Sequence, residues 1–410
     1  MPALRVEIAC PQCGAPAELE ETDRLFQCPF CRVRSFLAGP EGFRYVLPAK
    51  PPRRGGLIYV PYWRFKGLFF FCRPNGVDHR FVDVNEIAVD LPALPRTLGL
   101  RPQGLKLRFL TPQAEGRYLP PAVSFGGAVR AFLERSLRAL GRPPLYSAHI
   151  GEAAGLLYAP YALAGDGLVD AVLDRPLPGK APPALLELPA AGLEPQAGIS
   201  FLAALCPDCG WDLEGAPQAL ALHCRNCESS WIPSGGRLTR VESCCAAGGG
   251  ARALFLPFWE IGCAVSGIEL KTRGDLARAA NLPVVPPPQW EEEAFRFLVP
   301  AFKVRAANFL QLAGALTLQP PAGGLSPALP GPRHHPVTLP VEEACESLKL
   351  ILAGFLRPRR EMAARLGAID VHPERFRLAY LPFRETTHDW VLPGSSLSIN
   401  RNVLGLSENL

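Results

Sequence analysis

Apolar and polar positions alternate in short runs along most of this chain, and few segments show the three-to-four spacing of a helix. Such runs predict strands over 57–62, 81–89, 105–111 and 168–173, and again over 253–258, 296–303, 376–383 and 396–400. Two segments do have helical spacing. GGAVRAFLERSLRALG (126–141) places Val129, Phe132, Leu133, Leu137 and Leu140 on one face, and Gly141 with Pro143 stops it. PVEEACESLKLILAGFL, from Pro340, places Val341, Ala344, Cys345, Leu348, Ile351, Leu352 and Phe355 on one face, with acids in its first turn. The expected fold class is strand-rich α+β.

The pattern also repeats. CPQCGAPAELEETDRLFQCPFC (10–31) returns as CPDCGWDLEGAPQALALHCRNC (206–227), with every cysteine displaced by 196 residues. Cys10, Cys13, Cys28 and Cys31, and then Cys206, Cys209, Cys224 and Cys227, share the layout C-x2-C-x14-C-x2-C. Two cysteines three apart on a tight turn can face one ion, and a hairpin that returns a second such turn completes a tetrahedral thiolate site. Leu19 with Leu25 and Phe26, and Leu213 with 220–222, suit such hairpins. Gly14 and Gly210 relieve the first knuckle of each quartet, whereas the second knuckles, CPFCR and CRNCE, lack that glycine. These quartets resemble the zinc-ribbon (zinc β-ribbon) superfamily over about 25–35 residues per copy. The resemblance implies two structural Zn2+ ions, with an iron–tetrathiolate site as the alternative. With four protein ligands each coordination sphere is closed and leaves no reactive water, so the ions brace small modules.

The offset extends beyond the metal ligands. Pro61 and Pro257, in YVPYWRFKG and FLPFWEIGC, and Trp63 and Trp259 keep the 196-residue spacing. Further on, the two helical segments align at about 216, and LLYAPYAL and LAYLPFRE set Pro160 against Pro382 at 222. An ancestral unit of roughly 190 residues, duplicated and fused, accounts for this. The expected organisation is a ribbon over 1–40, an α+β domain over 41–178, a Pro-rich semi-extended linker over 179–198, a second ribbon over 199–236 and a second α+β domain over 237–410. The additional residues of the second copy are expected as loop within 283–336. The four prolines should mark an edge strand, strand start or bulge. The aromatics after them (Tyr62, Tyr161, Phe258 and Phe383) should pack inward, with aromatic peptide-binding grooves as the sharper reading. Trp63 is followed by Arg64 and Lys66 but Trp259 by Glu260 and Gly262, so matched surfaces are expected to differ in charge.

Composition narrows the rest. The chain has 410 residues, 48% hydrophobic, enough for two or more cores. Its 45 prolines and 38 glycines favour short strands and loops over a helical bundle, and the excess of Arg over Lys fits a GC-rich bacterial genome. The start, MPALRVEIACPQC, lacks the apolar stretch of a signal peptide. The longest uncharged run, 306–332, falls short of the roughly 20 apolar residues of a membrane span. Eight of 13 cysteines lie in C-x-x-C pairs, which reads as metal binding in a reducing cytoplasm.

A net charge of +5 is small for this size and does not itself predict a nucleic-acid partner. The first ribbon sets Arg5, Arg24, Arg32 and Arg34 against Glu7, Glu18, Glu20, Glu21 and Asp23. The second sets Arg225 against Asp208, Asp212, Glu214 and Glu228. Slightly acidic ribbons disfavour phosphate binding, and the basic KPPRRGG (50–56) reads as a solvated connector. No nucleotide-binding or hydrolase motif occurs. His334 and His335 are expected on a surface loop, Cys244 and Cys245 as an incidental exposed pair, and Cys72, Cys263 and Cys345 as apolar fillers. His388 and Asp389 are expected outside any catalytic centre; a deep pocket lined by them or Glu385 would favour an enzyme. The expectation is a non-enzymatic scaffold or adaptor for other proteins. The alternatives are a nucleic-acid-binding ribbon protein and an enzyme with ribbons appended.

Overall fold

The computed structural model describes residues 4–39, 42–50, 56–74, 76–99, 105–111, 114–138, 143–187, 199–248, 250, 252–321, 324–357 and 361–406. The chain opens with two antiparallel hairpins, β1 (Arg5–Ala9) with β2 (Pro16–Glu20) and β3 (Leu25–Gln27) with β4 (Arg34–Ala38). β5 (Phe43–Val46) precedes β6 (Leu57–Arg73), which folds back on β7 (Gly76–Ile87). β8 (Lys106–Phe109), β9 (Arg117–Tyr118) and α1 (Phe125–Arg138) follow. β10 (Tyr146–Ala164) then runs antiparallel along the whole of β6 and turns into β11 (Gly167–Asp170), which β12 (Arg175–Pro176) extends. α2 (Pro183–Leu186) ends this half.

The second half begins with β13 (Ser200–Ala203) and the three-stranded sheet of β14 (Leu222–Cys224), β15 (Ser229–Ser234) and β16 (Arg237–Val241). β17 (Ser243–Ala246) and β18 (Leu254–Ser266) lead to α3 (Arg273–Ala279), α4 (Gln289–Glu292) and β19 (Arg296–Pro300). Then come α5 (Ala306–Leu318), β20 (Leu325–Pro327), α6 (Val341–Glu346), α7 (Leu348–Phe355) and α8 (Met362–Ala368). β21 (Asp370–Glu385), β22 (Asp389–Val391), β23 (Ser398–Asn400) and α9 (Arg401–Leu406) close the described chain. The architecture is strand-rich mixed α+β with several sheets.

Both large sheets contain a run of five strands joined in one pattern: β8-β5-β10-β6-β7 and β20-β17-β21-β18-β19. In each, the third strand pairs parallel to the second and antiparallel to the fourth. Pro61 stands opposite Tyr158, and Pro257 opposite Tyr380. The Trp63 indole donates to Val123 O at 2.6 Å, two residues before α1, and the Trp259 indole donates to Leu339 O at 2.9 Å, two residues before α6.

The four prolines are not at strand starts or sheet edges. They lie inside long central strands, where the strand exchanges one outer neighbour for another. Pro61 falls between the part of β6 that pairs with β9 and the part that pairs with β7, and Pro160 between the β5 and β11 contacts of β10. Pro382 falls between the β17 and β22 contacts of β21. A missing N–H is tolerated there because no ladder bond is due at the switch. The carbonyls are still used: Ala88 N donates to Pro61 O, Ala171 N to Pro160 O and Ala301 N to Pro257 O, at 2.9–3.0 Å. Tyr62, Tyr161, Phe258 and Phe383 are fully buried, which removes the peptide-groove reading.

Several expectations need correction. Cys244 and Cys245 are not an exposed pair. They form β17 between β20 and β21 and are buried, and burial pushes their thiols up, to about 11 and about 12. His335 is buried against the Phe302 ring rather than on a surface loop. The segment 283–336 is not simply loop, since it contains α4, β19, α5 and β20. The helix from Pro340 is divided at Ser347, whose hydroxyl donates to Ala344 O at 2.7 Å. The start of the expected linker forms α2, with Leu185 in the first half's core; residues 188–198 lie outside the described ones, as do 51–55 of KPPRRGG and 139–142 at the end of the first helical segment.

Arg64, Lys66 and Glu260 do not give the halves different surfaces, because all three are buried. Arg64 pairs with Glu21 and Asp83. At the matched position, Glu260 pairs with Arg296 at 2.5 Å and takes both a 3.2 Å and a 3.1 Å bond from Arg377. The two halves share a boundary in which Phe70, Cys72, Ala148 and Ile150 join the second half's core, and Lys349 lies 5.4 Å over the Tyr146 ring.

Candidate metal centres

Each quartet is assembled by local backbone geometry. In the first, Gly14 N donates to Cys10 O and Arg32 N to Cys28 O; in the second, Gly210 N donates to Cys206 O. Gly14 and Gly210 both have φ of +73°, while Arg32 and Glu228 adopt φ of +63° and +53°. The glycine missing from the second knuckles is therefore replaced by a strained non-glycine residue in the same left-handed conformation. In both quartets one cysteine of each knuckle is buried (Cys10, Cys28, Cys206, Cys224) and its partner lies further out.

The four sulfurs of each set lie within 4.8 Å of one another. Cys10–Cys31 and Cys13–Cys28 are 3.7 Å apart, and Cys206–Cys227 and Cys209–Cys224 are 3.5 Å apart. Sulfurs about 2.3 Å from a tetrahedral ion stand about 3.8 Å from each other, so both sets fit a metal. Burial pushes the Cys28 thiol up, but the amides of Cys31 and Phe30 and the adjoining thiols outweigh it and bring it down to about 6. The amides of Cys209 and Asp208 and the Ser229 hydroxyl likewise outweigh burial at Cys206, bringing it to about 6. One thiol of each set is thus lowered while a coupled neighbour, Cys31 or Cys224, is pushed up to about 12, so ionising a whole set takes the positive charge of a bound ion.

The centres differ in what surrounds them. Ser229 Oγ lies 3.1 Å from Cys227 Sγ and accepts from the Trp231 indole at 2.8 Å. His223, next to Cys224, is fully enclosed: Nδ1 is 2.9 Å from Ser230 Oγ and Nε2 is 2.9 Å from Tyr380 OH. This bracket ties the second ribbon to β21 at the centre of its sheet. At the matched positions in the first half stand Gln27, which is exposed, and Val33, which has no hydroxyl. Tyr380→Phe should therefore lower stability by about 1–3 kcal/mol, since it leaves a buried imidazole nitrogen without its partner. Denaturant unfolding of the metal-loaded protein measures this, and a change below half of that range would mean the bracket is not closed in solution.

The two cysteine modules touch each other. β13 pairs with β4, and Arg24 N and Leu25 N both donate to Pro217 O at 2.7 Å. Leu25 and Phe36 of the first ribbon share a cluster with Cys206, Leu213, Leu222 and Trp231 of the second. Two side chains that the sequence did not single out stand clear of this cluster: Phe30, inside a knuckle and 68% exposed, and Trp211, just after one and 60% exposed. Their signal was available, because a large apolar side chain placed between or just after the cysteines of a knuckle stands on the outer turn of that knuckle.

The remaining candidates do not assemble. His388 is exposed, and Glu385 is bound by Arg333 at 3.4 Å and Arg401 at 2.8 Å. His334 packs its ring 5.3 Å from that of His223. Cys72 is fully buried, and Cys263 and Cys345 partly so. No helix among the described residues is long and apolar enough to cross a membrane. No protein-family model, no curated protein and no solved structure matches the chain.

Proposed function

We propose that this chain is a non-enzymatic scaffold for other proteins, braced by two structural Zn2+ ions. One ion would sit on Cys10, Cys13, Cys28 and Cys31, the other on Cys206, Cys209, Cys224 and Cys227. The observation that carries the reading is the completeness of both thiol sets at 3.5–3.7 Å spacing: each supplies four ligands and leaves no open position for substrate or water. Zinc is preferred over iron because nothing in the reading needs a redox centre. Partner contacts would come from Phe30 and Trp211, since large exposed aromatics are over-represented where proteins bind proteins. The acidic balance of the ribbons works against nucleic acid. The free thiols required for ligation suit a reducing compartment such as the cytoplasm.

The same reading makes the chain a fused duplicate, with units divided as the sequence suggests at 1–40, 41–178, 179–198, 199–236 and 237–410. Matching five-strand orders, matching Pro–Tyr registers and matching Trp-to-carbonyl bonds support common descent of the halves. Elemental analysis of the purified protein should give two zinc ions per chain. Affinity capture with the Phe30→Ser/Trp211→Ser double variant, which should keep both ions, is expected to lose proteins that the wild type retains. An unchanged set of captured proteins, or micromolar nucleic-acid binding that falls steeply with salt, would overturn the scaffold reading.

A further inference from the structure

Where the first half's sheet meets the helices of the second there is a cleft of about 560 Å3, within the range of about 300–1,000 Å3 that suits small organic ligands. Phe70, Phe81 and Ile150 line it from the first half, and Phe302, Phe309 and Leu339 from the second. Gly67 and Gly151, which stand opposite each other across the β6–β10 ladder, also line it. Side chains are thus missing from two adjacent strands at one point, although a Cβ at Gly151 would meet Glu343 and His149 rather than open space.

The polar lining is of one kind. It consists of His79, Lys303, Arg305 and Asn308, with no carboxylate among the described lining residues. Glu343 lies close by, with Oε1 3.0 Å from where a Gly151 Cβ would stand; burial pushes it up to about 7 and the charge of Lys303 acts against that. Lys303 is therefore balanced locally. Arg305 is exposed and forms no ion pair among the described residues. It caps α5, whose first turn has no acid and no side-chain cap, so the helix dipole adds to the positive field at that end of the cleft.

We propose that this cleft binds a small organic monoanion with an apolar body, of the medium-chain or aryl carboxylate class. The hydrocarbon would lie among Phe70, Phe309 and Leu339, and the carboxylate would meet Arg305. One uncompensated cation beside an apolar wall favours a single charge. A phosphate dianion would bring a second charge for which the lining holds no second uncompensated cation, since Lys303 already faces Glu343. A ligand seated there touches both halves, so binding would also hold them together.

The test is calorimetric titration and thermal melting of the zinc-loaded full chain with decanoate, decanol and decylammonium. Decanoate should bind at one saturable site and raise the melting temperature, and decylammonium should not. Arg305→Glu should weaken decanoate at least tenfold and leave decanol unchanged, since it alters only the charge at the mouth. Ala307→Trp, at an exposed lining position of α5, should weaken decanoate and decanol together by filling the volume. The proposal fails if decanoate shows no saturable binding, if decylammonium binds as well as decanoate, or if Arg305→Glu leaves decanoate affinity unchanged. None of these outcomes depends on the scaffold reading, which is judged by zinc content and captured proteins.

Discussion

Cys28→Ser should leave one metal ion per chain instead of two, and should loosen both ribbons rather than the one it belongs to. Cys28 is fully buried beneath its knuckle, and a serine hydroxyl does not ionise near neutral pH, so the first set would drop to three thiolates around a site built for four. Structural zinc contributes on the order of 10–16 kcal/mol in small zinc-binding peptides, more than the net stability of most domains, so the first ribbon should not hold its hairpins without the ion. The damage would spread through specific contacts. β4 would no longer template β13, Pro217 O would lose the Arg24 and Leu25 amides, and Leu25 and Phe36 would leave the cluster they share with Leu213, Leu222 and Trp231. Elemental analysis should read one ion per chain, and hydrogen exchange should show lost protection at 200–203 in the second half. Cys72→Ser, at a buried cysteine outside both sets, should keep two ions. A Cys28→Ser protein that retains two ions would disprove ligation at this set, and unchanged protection at 200–203 would show that the ribbons fold independently.

The thiol sets could be read from sequence because their chemistry is local. A C-x-x-C pair fixes its own turn, and a 14-residue gap is short enough for a hairpin to close, so spacing alone picked out the two sets of four thiols that the fold brings together. The matched Trp63 and Trp259 hold like places, each indole donating to the carbonyl two residues before a helix, and Pro61 and Pro257 each accept a backbone bond at a like register. What escaped detection depends on distant partners. β10 is rich in alanine and glycine, poor strand formers, and is a strand because β6 lies along its full length on one side and β5 and β11 on the other. α5 carries only Asn308, Gln311 and Thr317 as polar side chains, so its sequence shows no clear amphipathic stripe, although it buries one face (Ala306, Phe309, Leu312, Ala313, Leu316 and Thr317) against the second half's core. The burial of Arg64, Glu260, Cys244 and His335 likewise follows from long-range pairing that no window of the sequence contains. The same is true of the Tyr380–His223 bond, which joins residues 157 apart.

Arg64→Met should cost about 3–5 kcal/mol, a large fraction of the stability of a domain this size. Arg64 and Glu21 are both buried, and this is the only ion pair Glu21 makes among the described residues. Its other oxygen, Oε1, already has no hydrogen-bond partner, so removing the guanidinium leaves a buried carboxylate with no ion pair and only the charge of Arg24 nearby to offset its desolvation. Most of the expected loss is this stranded charge and not the worth of the pair itself, because a buried ion pair gains little net free energy over apolar residues of similar volume. The distinction can be measured. Adding Glu21→Gln to Arg64→Met removes the stranded charge and should restore more than half of what Arg64→Met lost, giving a coupling well above the few tenths of a kcal/mol expected for independent sites. The second half offers the mirror experiment, since Glu260 stands where Arg64 would be and two arginines stand around it. Arg296 and Arg377 are each partly open to solvent, so Glu260→Gln strands charges that water can reach and should destabilise less than Arg64→Met. Denaturant unfolding of the wild type, Glu21→Gln, Arg64→Met, their double variant and Glu260→Gln, all with metal bound, tests the argument. If Arg64→Met and its double variant lost stability equally, the stranded Glu21 carboxylate would not be the main source of the loss.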